Sequence, residues 1–230
     1  CLADPLAEYG LKRFREKIVV TGCPIREEIL NVDRETGIRK MGLDPGLKTI
    51  LVIGGSQGSR TINETFLSAW VLNYKRTHKR IEEVQVIHQW GKKDFSATKN
   101  RIWTLPFGKT YHLFSFINNM PEALATADVI ICRAGATTIA EITAVGIPAV
   151  LIPFPHATDQ HQYHNAHNLH LNKAGVMIEE KHLSQDYLLR EIYEIINDPK
   201  KQSSMAKASR ALGKPDATRD FISVIEEVVG

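Results

Sequence analysis

The chain has 230 residues, 43% of them hydrophobic and 24% charged, with a formal net charge of +3. That is an ordinary globular balance with enough apolar material for one sizeable core. The small, scattered positive charge gives no case for nucleic acid as a partner. Three cysteines, Cys1, Cys23 and Cys132, form no CxxC pair, which argues against a disulfide framework and for a reducing compartment. No apolar run approaches the ~18 residues of a membrane span, and no charged-then-apolar leader is visible. The sequence opens CLADPLAEYGLKRF without Met. It reads as the interior of a longer chain, with 1–16 the remnant of a preceding domain or linker and 17–230 one domain. The one basic run, Lys75 to Arg80, reads as a solvated surface.

In chain order, KIVVTG (17–22) is a short β-branched stretch closed by Gly, and a turn at Pro24 then carries Arg26 near a helix start. KTILVIGG (48–55) is a stronger strand. The helix expected over 60–74 places Ile62, Phe66, Ala69 and Trp70 on one face. A strand at 83–90 follows, and the polar segment 92–109 is expected to hold a short helix and a loop. Strands at 110–117 and 128–135 lead to a helix over 137–146 that stops at Gly146. A strand at 147–154 leads to a helix over 161–175, also ending at Gly, and a strand at 175–180 follows. The helix over 186–198 carries Leu188, Leu189, Ile192, Ile195 and Ile196 on one side. A last helix over 216–229 follows Pro215. Continuous apolar strands suit a parallel sheet covered on both faces. Their alternation with helices implies a Rossmann-like, doubly wound α/β fold, whose ligands sit at the carboxyl ends of the strands.

Four segments just after strands carry candidate chemistry. LVIGGSQGSRTIN (51–63) runs from a strand through Gly54, Gly55, Ser56, Gln57 and Gly58 into a helix. Its glycines and free N–H groups fit a phosphate, or make a tight turn with no ligand; it is neither a Walker loop nor GxGxxG. In ICRAGATTIAEITAVGIP (131–148) a second strand opens a helix whose first turn holds Ala136, Thr137 and Thr138. Glu141 lies on the same face. That carboxylate can accept two hydrogen bonds from a ribose diol, or Thr137 can be a helix cap and Glu141 a surface charge. In PFPHATDQHQYHNA (153–166), Asp159, Gln162 and Asn165 suit sugar hydroxyls. The HxxHxxHxxH run from His161 to His170 cannot converge on one metal ion, because steps of three drift around a helix by about 60° each. In VTGCPIREE (20–28), Arg26 could face a phosphate or a base, or solvent. No DxD pair is present to hold a nucleotide-bound metal, so a diphosphate here would be neutralised by backbone amides, helix dipoles and Arg.

Together GGSQGSR (54–60), HQWGK (88–92), FINNM (116–120), CRAGATTIAE (132–141) and PFPHATDQHQYHNA (153–166) resemble, in order and spacing, the motifs of the MurG family. Its members add N-acetylglucosamine from UDP-GlcNAc to undecaprenyl-diphospho-N-acetylmuramoyl-pentapeptide in peptidoglycan synthesis. The resemblance runs from about residue 17 to the end. It implies the C-terminal, donor-binding half of a GT-B glycosyltransferase, with the last helix packing back toward an N-terminal domain. By analogy Ser56 would contact the diphosphate and the backbone of Ile117 the uracil, while Ala136, Thr137 and Thr138 would lie under the diphosphate and sugar. Glu141 would hold the ribose, His161, Gln162 and Asn165 would meet the sugar, and Arg26 matches the family's interdomain Arg. No metal and no cofactor are implied. The implied partners are UDP-GlcNAc and a lipid-linked acceptor, with peripheral association at the inner face of the bacterial membrane. Cys23 stands where the family has Asn, and Trp90 where it has a small hydroxyl residue. The family's GGTGGH-like segment, with the His proposed as base, is not among these 230 residues, so the chain alone is expected to bind donor without turnover. Rival readings are another UDP-sugar transferase such as a glycolipid synthase, a UDP-GlcNAc 2-epimerase-like enzyme, and a non-catalytic nucleotide-binding subunit.

Overall fold

The computed structural model describes residues 14, 16–77 and 83–229. Most of the segment 1–16 and part of the basic run at 75–80 lie outside the described residues. Two short helices, α1 (Glu28–Asn31) and α2 (Arg34–Met41), precede β1 (Lys48–Ile53) and α3 (Arg60–Thr77). Then come β2 (Val84–Gln89), α4 (Phe95–Trp103), β3 (Tyr111–Phe114), α5 (Met120–Thr126), β4 (Val129–Cys132) and α6 (Ala136–Val145). The chain closes with β5 (Ala149–Leu151), α7 (His161–Leu171), β6 (Gly175–Met177), α8 (Gln185–Ile196), α9 (Pro199–Leu212) and α10 (Ala217–Val229).

The strands form one six-stranded sheet in the order β3-β2-β1-β4-β5-β6, every pair parallel. This is the dinucleotide-binding order, and the direction of winding reverses between β1 and β4. Side chains alternate between the two faces. Ile50 and Val52 join a core with Phe66 and Trp70 of α3 and Leu188, Ile192 and Ile195 of α8. Leu51 and Ile53 join a second core with Leu124 of α5, Ile139 and Ile142 of α6 and Leu169 of α7. Each fully buried side chain of this size contributes about 1.5–3 kcal/mol. The face expected on the first long helix is confirmed: Ile62, Phe66, Ala69 and Trp70 are all essentially inaccessible.

Two expectations are corrected. Residues 18–22 form no strand. Val19 and Val20 are exposed at 63% and 50%, so β-branched residues are present but no strand edge pairs with them. The helix expected over 161–175 ends at Leu171. Lys173 adopts the left-handed conformation (φ 57), and the Ala174 N–H closes onto Leu169 O at 2.8 Å; Gly175 instead opens β6. Helices α2, α5 and α9 were not read from the sequence. Asp33 caps α2 through Thr36 N, and Asp198 caps α9 ahead of Pro199, but their apolar stripes are thin: Met205 is the one large apolar side chain that α9 buries.

At the end of the sheet away from the glycine-rich loop, Asp128 gathers the Thr49 N–H at 2.8 Å, Arg34 at 2.8 Å and Lys48 at 3.1 Å. Burial pushes its pKa up, but the Thr49 N–H and the two cations outweigh that, and the net shift is down. A carboxylate with a lowered folded pKa stabilises above its unfolded pKa and loses that contribution as the pH falls through the folded value. Asp128→Ala should therefore cost about 1.5–3 kcal/mol at pH 7, the range for hydrogen bonds to a charged group. Urea unfolding should show this difference shrinking below about pH 4. An equal difference at pH 7 and pH 3 would remove the charge from the explanation.

Candidate functional site

The loops after β1 and β4 stand side by side at the carboxyl end of the sheet, at the point where its winding reverses. Between them lies a cleft of about 740 Å³. The β1–α3 loop turns through a Gly58 N–H bond to Gly55 O at 3.0 Å. It is pressed against the chain leaving β2, where Gly58 and Gly91 cross. A Cβ on Gly58 would stand 2.0 Å from Trp90 O, and one on Gly91 would stand 2.2 Å from Gln57 O.

Helix α6 is preceded at its N-cap position by Gly135, which has no side chain to cap it. The first-turn N–H groups of Ala136, Thr137 and Thr138 are therefore left to the cleft, together with the positive end of the helix dipole. Thr137 is inside the helix and is not its cap. One turn on, Glu141 is not a surface charge: its side chain is 12% exposed and lies 3.7 Å from Arg26. Burial raises its pKa, and the Arg26 guanidinium pulls the other way.

Seven of the ten residues that the family resemblance assigns to the donor line this one cleft: Arg26, Ser56, Ile117, Ala136, Thr137, Thr138 and Glu141. An adjoining cavity of about 440 Å³, sharing Gly55, Gly135 and Thr138 with it, reaches Gln162. There Gln162 Oε1 accepts the Phe154 N–H at 3.1 Å. His161 and Asn165 line neither. His161 donates from Nδ1 to Thr158 O at 2.6 Å, and Asn165, 2% exposed, donates to Ala134 O at 3.0 Å. Asn165 thus braces the turn ahead of α6 from beneath. Among the described residues no three His, Cys, Asp or Glu side chains gather as a metal site, and no helix is long and apolar enough to cross a membrane.

Three polar residues of this region were not read from the sequence. Arg133, the residue after β4, has a side chain only 12% exposed and pairs with Glu180 at 2.6 Å. It also donates to Ser59 Oγ at 2.9 Å and to Ile152 O and Pro153 O, tying the loops after β1, β4, β5 and β6 together. His88 is fully buried, and burial pushes its pKa down to about 3, so the ring is neutral. Tyr111 Oη meets its Nδ1 at 2.6 Å and Asn63 Oδ1 its Nε2 at 3.1 Å, while Asn63 Nδ2 donates to Trp90 O at 2.7 Å. With the Asn63 amide oriented by that carbonyl, its oxygen accepts from His88 Nε2–H, and His88 Nδ1 accepts from the tyrosine hydroxyl. Gln89 faces the cleft from the opposite side of β2. The signal that could have found all three is position: each stands within one residue of the carboxyl end of a sheet strand.

Residues 49–221 match the model of the glycosyltransferase family 28 C-terminal domain. The chain belongs to that family. This family 28 domain is 41% identical over 220 residues to the Halothermothrix orenii protein named UDP-N-acetylglucosamine--N-acetylmuramyl-(pentapeptide) pyrophosphoryl-undecaprenol N-acetylglucosamine transferase. The match covers 94% of this chain and 58% of that protein. The protein of the same name from Desulforamulus reducens is 35% identical over 230 residues, covering 98% of this chain and 60% of its own length. The chain thus spans less than two thirds of these relatives. Among solved structures, Acinetobacter baumannii MurG superposes with a TM-score of 0.69 at 28% identity, over 86% of this chain and 55% of that one. A putative UDP-N-acetylglucosamine 2-epimerase from Listeria monocytogenes superposes at 0.57 with 13% identity, over 82% and 46%, a likeness of fold alone. The fold is that of the C-terminal half of a GT-B glycosyltransferase.

Proposed function

We propose that this domain binds UDP-N-acetylglucosamine for an inverting transferase that moves N-acetylglucosamine to a lipid-linked N-acetylmuramoyl-pentapeptide. The observation that carries the reading is the convergence of the β1–α3 glycine loop and the uncapped start of α6 on one cleft, with Arg26 and Glu141 at its side. Backbone N–H groups and a helix dipole at one point favour a diphosphate. Ser56 and the first turn of α6 hold it, and Glu141 accepts from the ribose hydroxyls. The Ile117 backbone meets the uracil, while Gln162 and the neighbouring His161 lie toward the sugar. The relatives' names supply the donor sugar and the acceptor.

In this reading the domain stabilises the departing UDP, and deprotonation of the acceptor hydroxyl is the task of another part of the protein. The apolar side chains Phe221, Ile222, Ile225, Val228 and Val229 of α10, all exposed here, pack against that other part. The full-length protein works at the inner face of the cell membrane, associated peripherally. Titration calorimetry of the 230-residue chain with UDP in the presence of EDTA tests the donor site. Binding is expected without divalent metal, and binding that appears only with Mg²⁺ or Mn²⁺ overturns the amide-and-dipole account. With radiolabelled UDP-GlcNAc and lipid acceptor, the chain should give no transfer. Transfer by these residues alone would place a base among them, His156 or His161 first.

A further inference from the structure

Gln89 is the last residue of β2 and is 3% exposed. Its amide is used at both ends, and each end reaches a different wall of the cleft. Nε2 donates to Gly55 O in the glycine loop at 2.9 Å. Oε1 accepts the Ile117 N–H at 2.8 Å, in the segment that follows β3. The strand order explains why this side chain can reach both: β2 lies between β1 and β3, so its carboxyl end is the one point flanked by both loops. A glycine-rich loop has little side-chain packing of its own and a large conformational entropy to lose. Gly55 is itself left-handed (φ 89), with nothing within 4 Å of where a Cβ would stand. Its carbonyl is held by this amide.

We infer that Gln89 is a positioning residue for the nucleotide, a strut that sets the distance between the base wall at Ile117 and the diphosphate loop at Gly55. The inference rests on the nucleotide reading of the cleft. The strut needs one donor and one acceptor on the same short planar group, which an amide supplies and a carboxylate does not. A protonated carboxyl group does supply them: its carbonyl accepts from the Ile117 N–H and its O–H donates to Gly55 O. An ionised one turns a negative oxygen on the Gly55 carbonyl.

That difference gives a test that a merely structural role would not move. Gln89→Met removes both bonds at similar volume, and Gln89→Glu makes them depend on protonation. UDP affinity of both variants is measured by calorimetry between pH 5 and pH 8, each as a ratio to the unsubstituted chain at the same pH. The ratio cancels the titrations that both share, those of UDP itself and of Glu141, which faces the same cleft with Arg26. His88 lies on the other face of β2 and stays neutral. His112 of β3, whose pKa burial lowers, is common to every variant. Gln89→Met is expected to weaken UDP tenfold or more at every pH, with faster amide exchange at Ile117 and an unfolding midpoint within a few degrees of the parent. Gln89→Glu should be as weak at pH 8 and recover toward the parent at pH 5. A Gln89→Met variant that binds UDP like the parent overturns the strut, as does a Gln89→Glu deficit that does not change with pH. Absence of UDP binding by the unsubstituted chain would instead overturn the nucleotide reading on which the strut rests.

Discussion

Gly58→Ala is expected to unfold at markedly lower temperature and to lose measurable UDP binding. Two costs combine at this position. Gly58 sits at φ 77, and an added Cβ would meet Trp90 O at 2.0 Å, with Gly91 Cα at 3.2 Å behind it. The obstacle is backbone, so no rotamer change relieves it. The Gly91 chain cannot retreat, because Trp90 O is also fixed by Asn63 Nδ2. Left-handed strain in a non-glycine residue costs about 1–3 kcal/mol, and overpacking a close contact costs about as much again. The sum is roughly 2–6 kcal/mol, a large part of an ordinary domain's stability. Gly55→Ala separates the two terms: its φ is 89, but nothing stands within 4 Å of the added methyl. It should cost only the conformational part. Thermal unfolding of both variants decides this, and equal losses would mean that the Gly58–Gly91 crossing contributes nothing.

Glu141→Ala is expected to weaken UDP by about 1.5–3 kcal/mol, or roughly 10- to 150-fold, as removal of a charged acceptor for ribose hydroxyls requires. The unliganded chain should respond in the opposite sense. Burial raises the Glu141 pKa, with Arg26 opposing. A carboxylate whose folded pKa exceeds its unfolded value costs stability above the folded pKa, and that cost disappears as the pH falls below the unfolded value. Glu141→Gln should therefore hold or raise the unfolding midpoint at pH 7 while still weakening UDP. Because the group takes up a proton at a higher pH than an ordinary glutamate, UDP affinity of the unsubstituted chain should begin to fall earlier on acidification. The Gln variant should lack that component. Calorimetry and thermal unfolding across pH 4.5–8 read both effects. Unchanged UDP affinity in a folded Glu141→Ala variant would leave the carboxylate with Arg26 alone.

Much of this was legible in the residues themselves. Buried parallel strands must be apolar on both faces, so VIGG, CRAG and IPF announced strand ends. In a parallel sheet every such end lies on one edge, so the loops at Ser56 and Thr137 had to converge although about 80 positions separate them. Local patterns also decided α3, α6 and α8, whose apolar stripes are dense enough to be seen alone. The tertiary structure decided what depends on a partner distant in sequence. KIVVTG has strand-forming residues, but residues 18–22 pair with no strand of the sheet. Helices α2, α5 and α9 are held by the surfaces they cover rather than by strong stripes of their own. Gln89 and Asn165 show the same point within the site. Each amide's role depends on which backbone groups stand opposite it, Gly55 and Ile117 for one and Ala134 for the other. The strand order and loop crossings alone bring those groups within hydrogen-bond reach.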